Sequence, residues 1–446
     1  MILETLIFGG GAYAGGKAVN FWGKPGLLSH WRKQSRPAHP LAQVQPQVIA
    51  DTTVVQAEPD LGRVSRNLAI ALASLKLASA GALLNVPAIS MASMPFMLYV
   101  FIPVFKNAGQ KLRVERRIND QVLVATRVTV CTVMGYTFIA ALDATLYAGS
   151  QWVWARNEQI FRKTLQAELE KYPDMPAEAF PVLREPYVAD HFQQAGERRG
   201  ERTAPWMLGA FVLTLPLVGV ERAAAFLTTM FGAHLRHLGP YTTRRLMMQA
   251  VEQGVLVLRA DALGRVTQVD TLVLDGKLLE NSAVKSQADT MLLSLKHRYG
   301  EDVVYVLPER DDDLLERLHT AGKKICFVRH ANTEPAMQAA YLNIVCQMPM
   351  GSHTEGTDIV LLGEAWEQLG LTLALADTLR TRQGFNLNAP NNCDVVDIGT
   401  TVFLNFGLVY SVLFTYTGIL LGVLNNHPQR SEKPSQQLKS LANRLG

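Results

Sequence analysis

The chain has 446 residues, 48% of them hydrophobic, a net charge of +4 and a mean hydropathy of +0.08. That balance excludes a wholly soluble set of domains and points to a chain partly in lipid, while the mild charge gives no reason to expect nucleic acid. The four cysteines, Cys131, Cys326, Cys346 and Cys393, stand apart with no CxxC spacing, so neither a disulfide framework nor a zinc site is indicated.

Residues 2–22 are apolar and rich in small residues such as Gly9, Gly10, Gly11, Ala12, Ala14, Gly15 and Gly16, and Met1–Phe21 lacks a basic start and a clear cleavage pattern. Lys24, Arg32, Lys33 and Arg36 follow, which suits a first crossing with its C-terminal side in the cytoplasm. Lys17 interrupts the run, so a buried or interfacial helix is the alternative. The stretch from 37 to 65 reads as a Pro-containing linker, and 1–65 together as a membrane anchor and linker.

Transmembrane helices are expected over 66–155. Leu68–Phe105 is nearly all apolar, broken by Lys76 and by a turn at Asn85-Val86-Pro87, which predicts a helical hairpin. Lys106, Lys111, Arg113, Arg116 and Arg117 mark a cytoplasmic loop after it. The next apolar block, 121–155, reads as a tight hairpin or one long tilted helix. It contains Arg127 and Asp143, functional candidates at membrane depth unless Arg127 snorkels to the interface. Residues 156–204 are charged and soluble in character. A further hairpin is expected over 205–240, one arm from Trp206 to Val220 and the other from about Ala223 to Leu238. His234 and His237 lie at i, i+3 on one face of the second arm, a candidate metal pair against a polar helix end.

From 241 to 383 strands alternate with helices, which implies a mostly parallel, Rossmann-like sheet covered on both faces. Strands are expected at Val255–Leu258, Leu272–Leu274, Asp302–Leu307, Lys324–Val328, Ile344–Met348 and Asp358–Leu362. Helices are expected at Arg244–Gly254, Ala288–Arg298, Leu314–Ala321, Pro335–Leu342 and Trp366–Arg382. The run Val269–Leu274 delivers Asp275 onto a turn at Gly276, and open α/β sheets place their chemistry at such strand ends. Residues 384–426 read as a C-terminal transmembrane region whose apolar span is Thr401–Leu424, Asn386–Asp397 being polar for lipid. One crossing there would put the basic tail, 427–446, on the outside against the positive-inside bias. Either Gly384–Gly399 re-enters or the rule fails; the tail itself reads as disordered.

Val269–Glu280 resembles the phosphorylation loop of heavy-metal P-type ATPases, V-D-T-[VIL]-[VI]-F-D-K-T-G-T-L-T, with Asp275 at the nucleophile and Gly276-Lys277-Leu278-Leu279 in place of K-T-G-T. Leu98–Pro103 is similar to part of the family's first hairpin. Gly239-Pro240-Tyr241 stands where the family has its Cys-Pro-Cys or Ser-Pro-Cys, and Leu307–Asp311 resembles L-P-x-x-K with Asp311 at the lysine. Val328–Met337 looks like V-G-D-G-x-N-D-x-P-A-L with one residue deleted, so that His330 and Thr333 replace two magnesium-binding aspartates while Asn332 is kept.

The resemblance implies an α-helical transmembrane bundle with a cytosolic, degenerate HAD-like phosphorylation domain. Residues 156–204 then read as a remnant of the actuator domain, whose Thr-Gly-Glu is absent, and the nucleotide-binding domain is lost. No catalytic residue is expected: Asp275 is a vestigial nucleophile among the degenerate positions Asp311, His330, Asn332 and Thr333. Imidazole and hydroxyl are poor substitutes for the hard oxygen ligands that Mg²⁺ prefers. The implied role is a regulatory, binding or assembly subunit in transition-metal transport or storage, in the bacterial inner membrane or a compartment derived from it. The expected partners are membrane lipid and another membrane protein or a second copy. A passive metal permease and a residual phosphohydrolase at Asp275 are the alternatives. No cofactor is expected; a transition metal is the class that the histidines would admit.

Overall fold

Apolar runs long enough to cross lipid form helices because a helix satisfies its own backbone polar groups. In the computed structural model, which describes residues 61–171, 191–259, 261–280, 292–293, 295–296, 303–307, 312–330, 340–346 and 356–426, helices dominate. The expected first crossing at 2–22, the linker up to residue 60, the tail from His427, and most of the expected helices Ala288–Arg298 and Pro335–Leu342 lie outside these residues. So do Asp311, Asn332 and Thr333.

The first hairpin is α1 (Leu61–Leu83), α2 (Pro87–Ala92) and α3 (Met94–Gln110). The chain reverses where Asn85 takes a left-handed backbone (φ 54) and Pro87 opens the next helix, a position where its missing N–H is no loss. α3 ends in a π-helical turn, Lys111–Glu115, closed by Arg116 at φ 52. The block 121–155 resolves into two helices, α4 (Asp120–Val133) and α5 (Thr137–Leu169), parted at Gly135 (φ 75). Arg127 does not snorkel. It is 2% exposed and grips Asp143 with two hydrogen bonds, Nε to Oδ2 at 3.0 Å and Nη2 to Oδ1 at 2.9 Å; Tyr416 donates to the same carboxylate at 3.0 Å.

α6 (His191–Val218) joins the charged stretch to the apolar arm without a break. The second arm, expected as one helix, is instead fragmented into α7 (Val220–Ala223), α8 (Ala225–Thr228), an irregular segment at 229–234, and α9 (Leu235–Glu252). The reason lies elsewhere in the chain: Asp394 accepts from the backbone N–H of Met230 (3.2 Å) and Asn391 from that of Gly232 (2.7 Å). Side chains thereby replace helical carbonyls, which lets irregular backbone persist inside the bundle.

The sheet has the order β1-β6-β5-β4-β2-β3, comprising β1 (Val255–Val257), β2 (Thr271–Asp275), β3 (Val304–Leu307), β4 (Ile325–His330), β5 (Leu342–Cys346) and β6 (Ile359–Leu361). All neighbours are parallel except β1 and β6, as the alternation of strands with helices implies. β5 starts two residues earlier than the sequence suggests. Leu342 is the first of five buried strand residues, and Asp358 accepts the N–H of Asn343 at 2.9 Å. Short helices α10 (Ala262–Val266), α11 (Lys277–Glu280) and α12 (Asp312–Thr320) complete the domain.

The helix after β6 does not stop near Arg382. α13 spans Ala365–Ile398, 34 residues, followed by a π-helical turn at Gly399–Phe403 and by α14 (Leu408–Asn425). Its first half packs Leu369, Leu375 and Leu379 into the sheet's core. Its second half carries Gln383, Asn386, Asp394 and Asp397, all buried, so the stretch judged too polar for a helix in lipid is helical with its polar face turned inward. α14 runs back along it: Ser411 bonds Asp397 and Gly418 faces Pro390. Because α14 runs back along α13, it ends toward the sheet's side rather than away from it. By length and apolarity Pro87–Glu115 and Leu408–Asn425 are candidate membrane spans among the described residues, with mean hydropathies of 1.8 and 1.7.

Candidate functional site

β2 ends at Asp275 because four buried apolar or β-branched residues carry it inward and Gly276 then turns the chain, its N–H bonding Leu307 O at 2.6 Å. The carboxylate is 5% exposed. Oδ1 accepts the backbone N–H of Lys277 at 3.0 Å, and Oδ2 accepts that of His330, at the end of β4, at 3.2 Å. The sheet thus brings Asp275 and His330 together, as the sequence suggests.

Arg329 lies beside them, 4% exposed and bonded through Nη2 to Thr357 at 3.0 Å. Burial pulls its guanidinium below the usual range, while attraction to Asp275 works against that shift. A buried Arg329 that offsets the Asp275 charge was not foreseen; its place one residue before His330, at a strand's carboxyl end, was the available signal. Cys346, at the end of β5, is pushed up to about 12 by burial first and Asp275 second, so it is a neutral thiol rather than a nucleophile. Chemically the arrangement holds one carboxylate whose two oxygens each accept a backbone amide, as in the cap of a strand-end turn.

The second polar cluster lies within the helical bundle. Asp397 accepts from Ser411 (2.7 Å), Thr228 (2.8 Å) and Thr401 (3.1 Å). Asn386 donates to Thr242 at 2.7 Å and Gln383 to Gly239 O at 2.9 Å. His234, 3% exposed, places Nε2 3.4 Å from Asp394 Oδ2. His237 takes a different partner: its ring stacks on Trp154 at 4.1 Å, and its Nε2 accepts from Arg236, which also pairs with Asp120 at 2.8 Å. The i, i+3 histidines therefore share no ligand, and the Nε2 lone pair of His237 is already engaged. Among the described residues no group of three or more His, Cys, Asp and Glu side chains is placed to hold a metal ion. Sequence reasoning missed Asp394 and Asp397, although Gln383, Asn386, Pro390, Asp394 and Asp397 recur every three or four residues, a helical period in a polar key.

No family model matches the chain, and no curated protein matches its sequence. Among solved structures it is similar to a zinc-transporting PIB-type ATPase in the E2.Pi state, with a TM-score of 0.53 and 11% identity over 82% of this chain and 99% of that one. It is also similar to a zinc-transporting PIB-type ATPase in another E2 state, with a TM-score of 0.50 and 12% identity over 80% and 98% of the two chains. At that identity the likeness is one of fold: the chain has a P-type-ATPase-like architecture. That architecture and the two candidate spans indicate membrane association.

Proposed function

We propose that the chain is a catalytically inactive, P-type-ATPase-like membrane protein that serves as a regulatory, binding or assembly subunit in transition-metal transport or storage. The observation that carries this reading is the company Asp275 keeps: the residue that meets it from the end of β4 is His330, an imidazole rather than a carboxylate. Beyond the nucleophile itself, phosphoryl transfer to an aspartate requires a divalent cation and groups that absorb charge on the transferring phosphoryl. Here an imidazole stands at the neighbouring strand's end where the resembled family has a magnesium ligand. Each lost electrostatic group is worth about 10²–10³-fold in rate. Only residues 281–303 separate α11 from β3, a short stretch for a nucleotide-binding domain. The scaffold is kept by the sheet and by the long helices that enter it, which suits a protein that works by shape.

A permease is the second reading. His234 faces Asp394 beside the irregular segment 229–234, and in transporters broken helices line binding sites. Against it, the carboxylates are satisfied by hydroxyls and amides within the chain. The test is a pull-down of the tagged chain from native membranes, run beside metal flux into proteoliposomes. The subunit reading expects a second membrane protein, or a second copy, in stoichiometric amounts and no flux. A chain recovered alone, with flux that disappears in His234→Ala and His237→Ala, would overturn it.

A further inference from the structure

The joint between α3 and α4 meets α6 at a cavity of about 560 Å³ lined by Arg116, Arg117, Arg198, Arg202, Glu201, Ile118 and Pro205. Its charges do not balance. Glu201 is taken by Arg117 at 3.4 Å and approached by Lys111 at 3.9 Å, and Lys111 also pairs with Glu115 at 2.7 Å. Among the described residues Arg198 bonds only the neutral Gln194, at 3.4 Å. Arg116 and Arg202 have no ion-pair partner among the described residues.

The four arginines are exposed to solvent, and an anion among them would relieve the repulsion within the cluster. Arg198 and Arg202 lie at i, i+4 on one helix face, where like charges repel.

The cavity's height is fixed by its neighbours. It opens directly after the candidate span Pro87–Glu115. On α6 the charged part gives way to an outward apolar face at Trp206, 77% exposed, followed by Leu213 at 73% and Leu217 at 81%. Val114 is 74% exposed on the π-helical turn. Tryptophan at the boundary between an arginine cluster and an apolar face marks the headgroup level of a bilayer. Guanidinium groups match the oxygens of a phosphate two at a time.

We propose that this cavity binds the phosphate of an anionic phospholipid headgroup, tying the start of α6 to the joint before α4. The proposal rests on the membrane placement of the chain and is independent of whether Asp275 has lost its chemistry.

The test uses the full chain purified in a neutral detergent, with melting temperature and native mass spectrometry as readouts. The added probes are short-chain phosphatidylglycerol, short-chain phosphatidylcholine and inorganic phosphate. We expect phosphatidylglycerol to bind and to raise the melting temperature, and the other two to do neither. Arg116→Gln with Arg202→Gln should weaken phosphatidylglycerol binding about 25-fold, about fivefold for each cation removed near the surface. Lys163→Gln, exposed on α5, serves as the control and should change nothing. If the double variant melts early without added lipid, Arg198→Gln alone supplies the comparison, with a loss of about fivefold. Equal binding of both lipids, undiminished binding by the variants, or stabilisation by inorganic phosphate to the same extent would each overturn the assignment.

Discussion

Asp275 and Asp143 are both buried carboxylates, and their partners set them apart. Asp275 caps a turn through two backbone amides, whereas Asp143 neutralises a buried arginine. Arg127 and Asp143 are 2% and 3% exposed at their side chains, so removing either leaves a charge that neither solvent nor lipid can accommodate. Asp143→Ala is expected to destabilise the chain by about 3–5 kcal/mol, while Arg127→Met combined with Asp143→Leu should restore most of that loss. Thermal unfolding of the single and double variants decides the matter. If the double variant is as unstable as Asp143→Ala, the pair is not the main contribution at that depth.

The elements differ in how openly the sequence announces them. The α1–α3 hairpin was legible because its apolar run, broken besides by Lys76, turns at Asn85-Val86-Pro87, residues with their own turn chemistry. β2 and β4 were legible as apolar strands, and Asp275 and His330 at their ends follow from that. The second half of α13 was not, because its polar residues sit on one face and hydropathy averaged around the helix hides them. Nor was the break between α8 and α9, which depends on Asp394 and Asn391 far along the chain. Arg329 was not legible either, because a single arginine at a strand's end carries no period of its own and its burial depends on the neighbouring strands. The contact between α13 and α14 provides a test at this scale: a Cβ at Gly418 would stand 2.8 Å from Pro390 Cα, a backbone atom that cannot swing aside. Gly418→Leu should destabilise the chain by about 1–3 kcal/mol. Gly149→Ala on α5, where nothing lies within 4 Å, should be neutral or stabilising by about 1 kcal/mol. Equal melting temperatures for the two variants would show that this close approach is not what sets the helices' spacing.

At the scale of the whole molecule, α9 and α13 belong to both halves. Met247, Val251, Leu369 and Leu379 enter the core of the sheet, and Thr242, Asn386 and Asp397 enter the polar core of the bundle. α13 alone spans about 50 Å at 1.5 Å per residue, so a shift of the sheet would move Asp394 and Asp397 with it. The measurement that tests the account most directly is incubation of the purified chain with radiolabelled ATP or acetyl phosphate in Mg²⁺ or Mn²⁺, followed by an acid quench. The account predicts no acid-stable label on the chain, whichever donor or cation is present. Label that appears on the native chain and is absent from Asp275→Asn would contradict it.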